Sequence, residues 1–466
     1  MRYTKMPRWL AASVLFTLYC NSCTAAPAVV PLKWKTSDAQ WKDHVARTVA
    51  DIGVLSAEPG IDSYGGRLDR SADKTGFFHV STIGGRWWLV DPDGHLYLFS
   101  GMVSVGPSKN SDVTAWAPST TKLLRDNGFN GLSAWSHVAP LEAVDHPMVY
   151  TVIGHSGLPN DRTTGFMTAY SGPKHISQPG TGHADFPGGC IPVFNPDFAT
   201  FCDDYAKPLA RFKDDPNLLG YFTDNELPMP KLENYLALDP NDPNLGPEYA
   251  AARAWFTARK GASAAAADIT DDDRDAWAEL VFDRYYQLTT SAIRKYDPNH
   301  LCLGSKVDGH TLLSHGVFVA AGRYLDVISI DYYGVWSPPS AHVQQWTQWS
   351  GKPVLAAEFY AKGADTGMGN TSGAGWLVPT QEDRGLFYET YTLGLIEAKN
   401  CVGWSWFKYM DNDPNDKNAD PSNRDSNKGI VTIDGTPYAP LLNHMKALND
   451  HIYAAADKFD TAPAAP

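Results

Sequence analysis

Between Pro353 and Phe407 the chain reads PVLAAE (353–358), then RGLFYETYTLGLIEA (384–398), then VGWSWF (402–407). The two short runs are apolar almost end to end, as strands covered on both faces must be, and the segment between them has a helical pattern. Strand, helix, strand is a βαβ unit, and its two strands pair in parallel. Working outward, the same alternation recurs along the chain. Apolar runs stand at LYLFSGM (96–102), NGLSAW (130–135), MVYTVI (148–153), LLGYFT (218–223), LCLGSK (301–306) and LDVISID (325–331). Helix candidates between them include TTKLLRDNG, PDFATFCDDYAKPLARF and DDDRDAWAELVFDRYYQLTTSAIRKY. Eight such strands, each followed by a helix, predict an α/β chain folded as a (β/α)8 TIM barrel. A doubly wound open sheet is the rival, but no glycine-rich turn follows the first strand.

Long loops are expected after strand three (155–195), strand four (227–249), strand seven (360–381) and strand eight (408–428), all on the C-terminal face of a barrel. Upstream, FFHVSTIGGRWWLVDPDG (77–94) reads as two strands joined by Gly84-Gly85, a hairpin signal, followed by a turn. The expected organisation is therefore a leader at 1–26, an N-terminal segment and β-hairpin at 27–95, the barrel at 96–455 and a flexible tail at 456–466.

Arg2, Lys5 and Arg8 precede an apolar run from Trp9 to Tyr19 and a small-residue stretch ending at Ala26. That is the layout of a secretory signal peptide, too short in its apolar part to span a bilayer, and it predicts export to the periplasm or beyond. The 39 Lys and Arg against 52 Asp and Glu, a formal net charge of −13, argue against a nucleic-acid or anionic-membrane partner and favour a neutral one. Fifteen Trp and 22 Tyr supply flat apolar faces suited to core packing or to sugar rings. No HExxH, zinc-ligand spacing or phosphate loop occurs, so no metal or cofactor is expected. The acidic stretch DNDPNDKNADPSNRDSNKG (411–429) does not have EF-hand spacing and reads as a flexible polar flap. Cys190 and Cys202 bracket a short loop and could form a disulfide in an oxidising compartment, whereas Cys302 and Cys401 read as buried thiols.

Two apolar strands end on carboxylates: LLGYFTDNELP on Asp224-Asn225-Glu226, and KPVLAAEFY on Glu358. A carboxylate at the end of a buried strand is costly unless paired, hydrogen-bonded or protonated, so a pair of them marks a site. Strands four and seven of a barrel open into one cleft. Two carboxylates there can act as the acid and the nucleophile of a retaining glycosidase, with carboxyl groups about 5–5.5 Å apart. The partner would then be a carbohydrate.

Asn-Glu closing strand four and Glu closing strand seven resemble clan A retaining glycoside hydrolases. Within the clan, the likeness is to the exo-acting β-agarases of glycoside hydrolase family fifty. It is carried by GRWWLVDPDGHLYLFSGM, NGFNGLSAWS, GYFTDNE, HLCLGSK, KPVLAAEF, GWSWFKYMD and NKGIVTIDGTPYAPLLNHMKALN. The resemblance implies Glu226 as acid/base and Glu358 as nucleophile, acting on a β-galactose-containing, agarose-like glycan. Asn225 would bond the hydroxyl beside the anomeric carbon, and Trp406 would floor the subsite for the non-reducing sugar. A tyrosine closing strand six would donate to Glu358; alternation favours Tyr333 and the clan resemblance favours Tyr332. Trp135 and Trp336 are further stacking candidates, and Lys306 would reach a sugar hydroxyl or a carboxylate. The alternatives are a non-catalytic carbohydrate-binding barrel, and a transglycosylase or glycosidase of the same clan with another sugar specificity.

Overall fold

The structure is a computed structural model describing residues 27–108, 111–154, 164–179, 184–416, 419 and 424–461. The expected leader lies outside the described residues. No described helix is long and apolar enough to cross a membrane.

Eight parallel strands form the barrel: β1 (Phe99–Met102), β2 (Gly131–Leu132), β3 (Val149–Ile153), β4 (Leu218–Asn225), β5 (Leu301–Lys306), β6 (Ile328–Asp331), β7 (Val354–Phe359) and β8 (Cys401–Trp406). Each pairs with its sequence neighbour except across β5 and β6, the two ends of the sheet, and β8 returns to β1 through Gly403–Phe99 and Trp406–Met102. The β5–β6 seam is held beyond the end of β5, where the Val307 amide donates to the Ser329 carbonyl and the Asp331 amide to the Val307 carbonyl, each at 2.9 Å. Sequential parallel neighbours in a ring replace the open-sheet alternative.

The helical layer follows from capping and amphipathic spacing. The longest helix, Asp271–Tyr296, starts at a Thr270–Asp273 capping box, carries three aspartates in its first turn and Arg294 and Lys295 in its last. It buries Trp277, Val281, Phe282, Tyr285 and Ile293. Gln381–Glu397 starts the same way at Thr380–Asp383.

The N-terminal region is larger than a hairpin. His79–Ile83 and Arg86–Val90 pair through a two-residue turn in which Gly84 and Gly85 have φ of 64° and 80°, values that L side chains avoid. His95–Tyr97 and Arg67–Ser71 extend this pair to a four-stranded antiparallel sheet. Phe78, Leu89 and Tyr97 from the sheet join Phe99, Val149, Leu219, Leu301, Leu303, Leu355 and Val402 in one apolar cluster, so the sheet packs onto the side chains filling the barrel. A separate ribbon, Val29–Leu32 with Lys42–Val45, continues through the Lys33–Leu377 bridge to Trp376–Val378.

Three expectations change. The chain stays helical from Ile452 to Thr461, with Ala456 and Phe459 buried, so the ordered fold runs past residue 455. Cys190 and Cys202 are buried free thiols, not a disulfide. The described part of the 411–429 loop is tied down: Asp411 accepts from the Lys428 and Gly429 amides and the Tyr438 hydroxyl, and Asp425 from Thr371 and Ser372.

Candidate active site

Glu226 follows β4 with φ of 48°, and its amide donates to the Lys306 carbonyl at 3.1 Å. This left-handed turn, costly for a residue with a side chain, sits where the strand enters the cleft. Asp224, two residues earlier, faces the other way. It is buried and accepts from the Tyr285 hydroxyl at 2.6 Å and the Met167 amide at 2.7 Å, a structural tie whose carboxyl burial pushes up to about 6.

On β5 strict alternation would send Ser305, not Lys306, to the side taken by Leu301 and Leu303. Gly304 breaks the alternation with φ of 76°, and the β4–β5 register slips beside it. A Cβ at Gly304 would also lie 2.3 Å from Leu325. The Lys306 ammonium is thereby brought over the Trp135 ring, 3.9 Å from its centroid, and donates to Glu358 Oε1. The Tyr333 hydroxyl donates to Glu358 Oε2 at 2.8 Å. Both oxygens of Glu358, itself 5% exposed, therefore have donors.

A third carboxylate, Asp331, closes β6. It is buried, 3.6 Å from Lys306 Nζ, and neither of its oxygens accepts a hydrogen bond from a described residue. One oxygen each of Glu226, Asp331 and Glu358 lie within 4.8 Å of one another. Burial raises Glu358 above the ordinary carboxylate range, as does the Glu226 charge, while Lys306 and Tyr333 oppose it. Burial raises Asp331 well above its ordinary value, and there only Lys306 opposes it. The three carboxylates outweigh the desolvation of Lys306 and keep it an ammonium. Two hydrogen-bond donors thus support negative charge on Glu358, and none does so on Asp331.

These residues open into a cleft of about 590 Å³. Asn225, Glu226, Glu358, Trp135, Tyr332 and Tyr333 line it, and Lys306 stands beneath Trp135. Tyr332 faces it too, but its hydroxyl pairs with His342 Nδ1 at 3.1 Å, so of the two tyrosines Tyr333 is the one on Glu358. Trp406 is fully buried behind the barrel wall, its indole donating to the Lys428 carbonyl; the next residue, Phe407, faces the cleft instead. Trp336 is also outside the lining, packed on Phe387 with its indole on the Val45 carbonyl.

Residues that strand reading missed are Asp331, Phe407, Tyr360, Trp346 and Trp34. Asp331 had a signal, since LDVISID ends an apolar strand on a carboxylate as surely as PVLAAE does. Trp34 had none: the N-terminal ribbon brings it against Trp376 at the cleft wall.

A (β/α)8 barrel with carboxylates ending β4 and β7 over one aromatic cleft has the layout of a glycoside hydrolase barrel. No family model matches the sequence. It is 23% identical to β-agarase B of Vibrio sp. (strain JT0107), over 88% of this chain and 52% of that protein; the chain thus spans about half the length of this curated relative. The solved structure of BpGH50 is 28% identical and superposes with a TM-score of 0.79 over 93% of this chain and 96% of that one. The structure of an exo-β-agarase, 19% identical with a TM-score of 0.68 over 86% of this chain and 68% of that one, shares the fold. The chain is thus similar in sequence to β-agarases and shares the barrel fold of family-fifty glycoside hydrolase structures.

Proposed function

We propose that the protein is an exported retaining glycosidase that hydrolyses a neutral, β-galactose-containing, agarose-like glycan by double displacement. The observation that carries this reading is that one oxygen of Glu226 lies within 4.8 Å of one oxygen of Glu358, an approach that suits direct attack better than an intervening water. In the first step a Glu358 oxygen attacks the anomeric carbon while Glu226 gives its proton to the departing glycosidic oxygen. In the second, water attacks the same carbon from the vacated side, Glu226 takes its proton, and the bonding pair returns to Glu358. Lys306 and Tyr333 hold Glu358 ionised and aimed. Asn225, in the cleft lining, bonds the adjacent sugar hydroxyl in this scheme, and Trp135 and Phe407, which also line it, serve as ring platforms.

Sugar identity is supported by the likeness to agarases and by the cleft charge. Glu226, Asp331, Glu358 and Asp308 against one lysine disfavour sulfated or uronic-acid glycans. Export rests on the leader at 1–26. The test is a screen of purified protein against agarose, its oligosaccharides, other neutral glycans and aryl glycosides, with product anomer followed by proton NMR. Retention of the β anomer on a galactoside supports the reading; initial release of the α anomer, or no turnover of any glycoside, refutes it.

A further inference from the structure

Glu226 borders more than the cleft it shares with Glu358. A second cavity, of about 470 Å³, meets that cleft at Glu226, Asp308 and Gly309, and its described lining includes Glu226 but not Glu358. A third, of about 530 Å³, shares Met229, Lys231 and His310 with the second and runs on to Arg274. Through these shared residues the three join into one trough, and the double-displacement scheme leaves its outer part unused. Resting on the retaining-glycosidase reading, we propose that this outer trough binds the departing, reducing-end part of the glycan. The enzyme is then selective for leaving groups of about disaccharide size or longer, and Met229, Lys231 and His310 set that preference.

A retaining mechanism gives each side of the site a direction. The nucleophile Glu358 must face the anomeric carbon, whereas Glu226 must reach the oxygen that departs. A cavity that touches Glu226 without touching Glu358 therefore lies on the leaving-group side. Its walls are fixed before substrate arrives. Beyond Glu226 the chain reads Leu227-Pro228-Met229-Pro230, in which each proline ring restricts its own residue and the one before it. The Asn234 side-chain amide donates to the Gly188 carbonyl at 2.6 Å, which pins the turn at Phe186–Gly189 to this segment. Gly189 has φ of 70°, and a Cβ there would lie 3.1 Å from the Met229 carbonyl oxygen. On the opposite wall the Asp308 amide donates to Thr311 Oγ1 at 3.1 Å and the Thr311 amide to the Asp308 carbonyl at 2.9 Å, folding the short turn that exposes His310. Leu313, 75% exposed, stands on the lip between this trough and the catalytic cleft. Met229 and Leu313 offer apolar surface to sugar faces, and Lys231 and His310 offer polar groups to hydroxyls, the mixture a neutral glycan requires.

The experiment uses β-galactosides that share one glycone and differ only in the leaving group, which is nitrophenol or a chain of one, two or three sugar units from agarose. In wild type kcat/KM should climb about tenfold from the one-unit to the three-unit leaving group, because remote binding energy is drawn into bond cleavage. Met229→Ala/His310→Ala should remove most of that climb, and Met229→Trp, which fills the trough, should abolish it; each is read as the ratio of the three-unit substrate to the nitrophenyl glycoside. If a Met229 variant does not fold, Lys231→Ala/His310→Ala, at two exposed positions, carries the same expectation. Wild-type rates independent of leaving-group length would overturn the proposal. So would a ratio that the variants leave unchanged, or a loss that instead follows extension of the glycone, which would assign the trough to the other side of the bond. Wild type inactive on every glycoside refutes the glycosidase reading itself, an outcome separate from an active enzyme that ignores leaving-group length.

Discussion

Tyr333→Phe removes one oxygen and tests the site at its most specific contact. The phenol donates to Glu358 Oε2 at 2.8 Å inside a buried pocket, so the lost bond is one to a charged acceptor and is worth about 1.5–3 kcal/mol. At 1.36 kcal/mol per decade, turnover should drop roughly 10- to 150-fold if the bond acts on the transition state alone. The ring remains, packed against Tyr360, so Tm should move little. There is also a signed pH effect. Tyr333 is one of the groups holding the raised Glu358 carboxyl down. Removing it raises that carboxyl further, and because Glu358 must be ionised to attack, the acidic limb of the kcat/KM profile should move to higher pH. Tyr332→Phe is the control, since its hydroxyl pairs with His342 and not with Glu358. The assay is steady-state hydrolysis from pH 4 to 9 for both variants with melting curves alongside. A larger loss in Tyr332→Phe, or a Tyr333→Phe enzyme within threefold of wild type with an unmoved acidic limb, would refute the assignment.

Glu358→Gln should abolish turnover while preserving oligosaccharide binding by calorimetry; near-normal hydrolysis would remove it as nucleophile. Glu226→Gln should slow poor leaving groups by about 10²–10⁴-fold and nitrophenyl glycosides much less, which leaving-group kinetics will show. Phe407→Ala should weaken substrate binding, whereas Trp406→Phe should lower Tm and leave KM near wild type; the reverse pattern would return Trp406 to the cleft. Asp91, buried against Asp62 beside His95, is pushed up to about 7, chiefly by burial and next by its contact with Asp62. A carboxyl raised on folding contributes its stability below its unfolded value and loses it as pH climbs through about 7. Asp91→Asn keeps the acceptor for the Asp93 and His95 amides, so it should match wild type near pH 4 and melt about a few degrees higher at pH 8, as scanning calorimetry would show.

Strand positions were legible because a strand sheathed on both faces is written as an unbroken apolar run, and the eight runs fall on β1–β8 within a few residues at each end. What such a run hides is the direction of its last side chains. Alternation holds through β6 and turns Tyr333 toward Glu358. At β5 it fails, because Gly304 turns left-handed and sends Lys306 inward; past β4 and β2 it fails again, where Glu226 and Trp135 take φ of 48° and 58°. At β8 the clan likeness puts Trp406 in the cleft, and the aromatic ring that lines it lies one residue on, at Phe407. Each departure sits at the cleft, where side chains are aimed at a ligand and regular pairing is given up to aim them. Glu226 and Glu358 could be found without knowing those angles, since a carboxylate ending a buried strand is conspicuous wherever it points. By the same rule Asp331 was equally visible, and it was passed over because the two-carboxylate mechanism has no vacancy for a third. Burial is indifferent to mechanism: an acid enclosed with no donor but a shared lysine carries the same warrant for function as the two acids whose roles were expected.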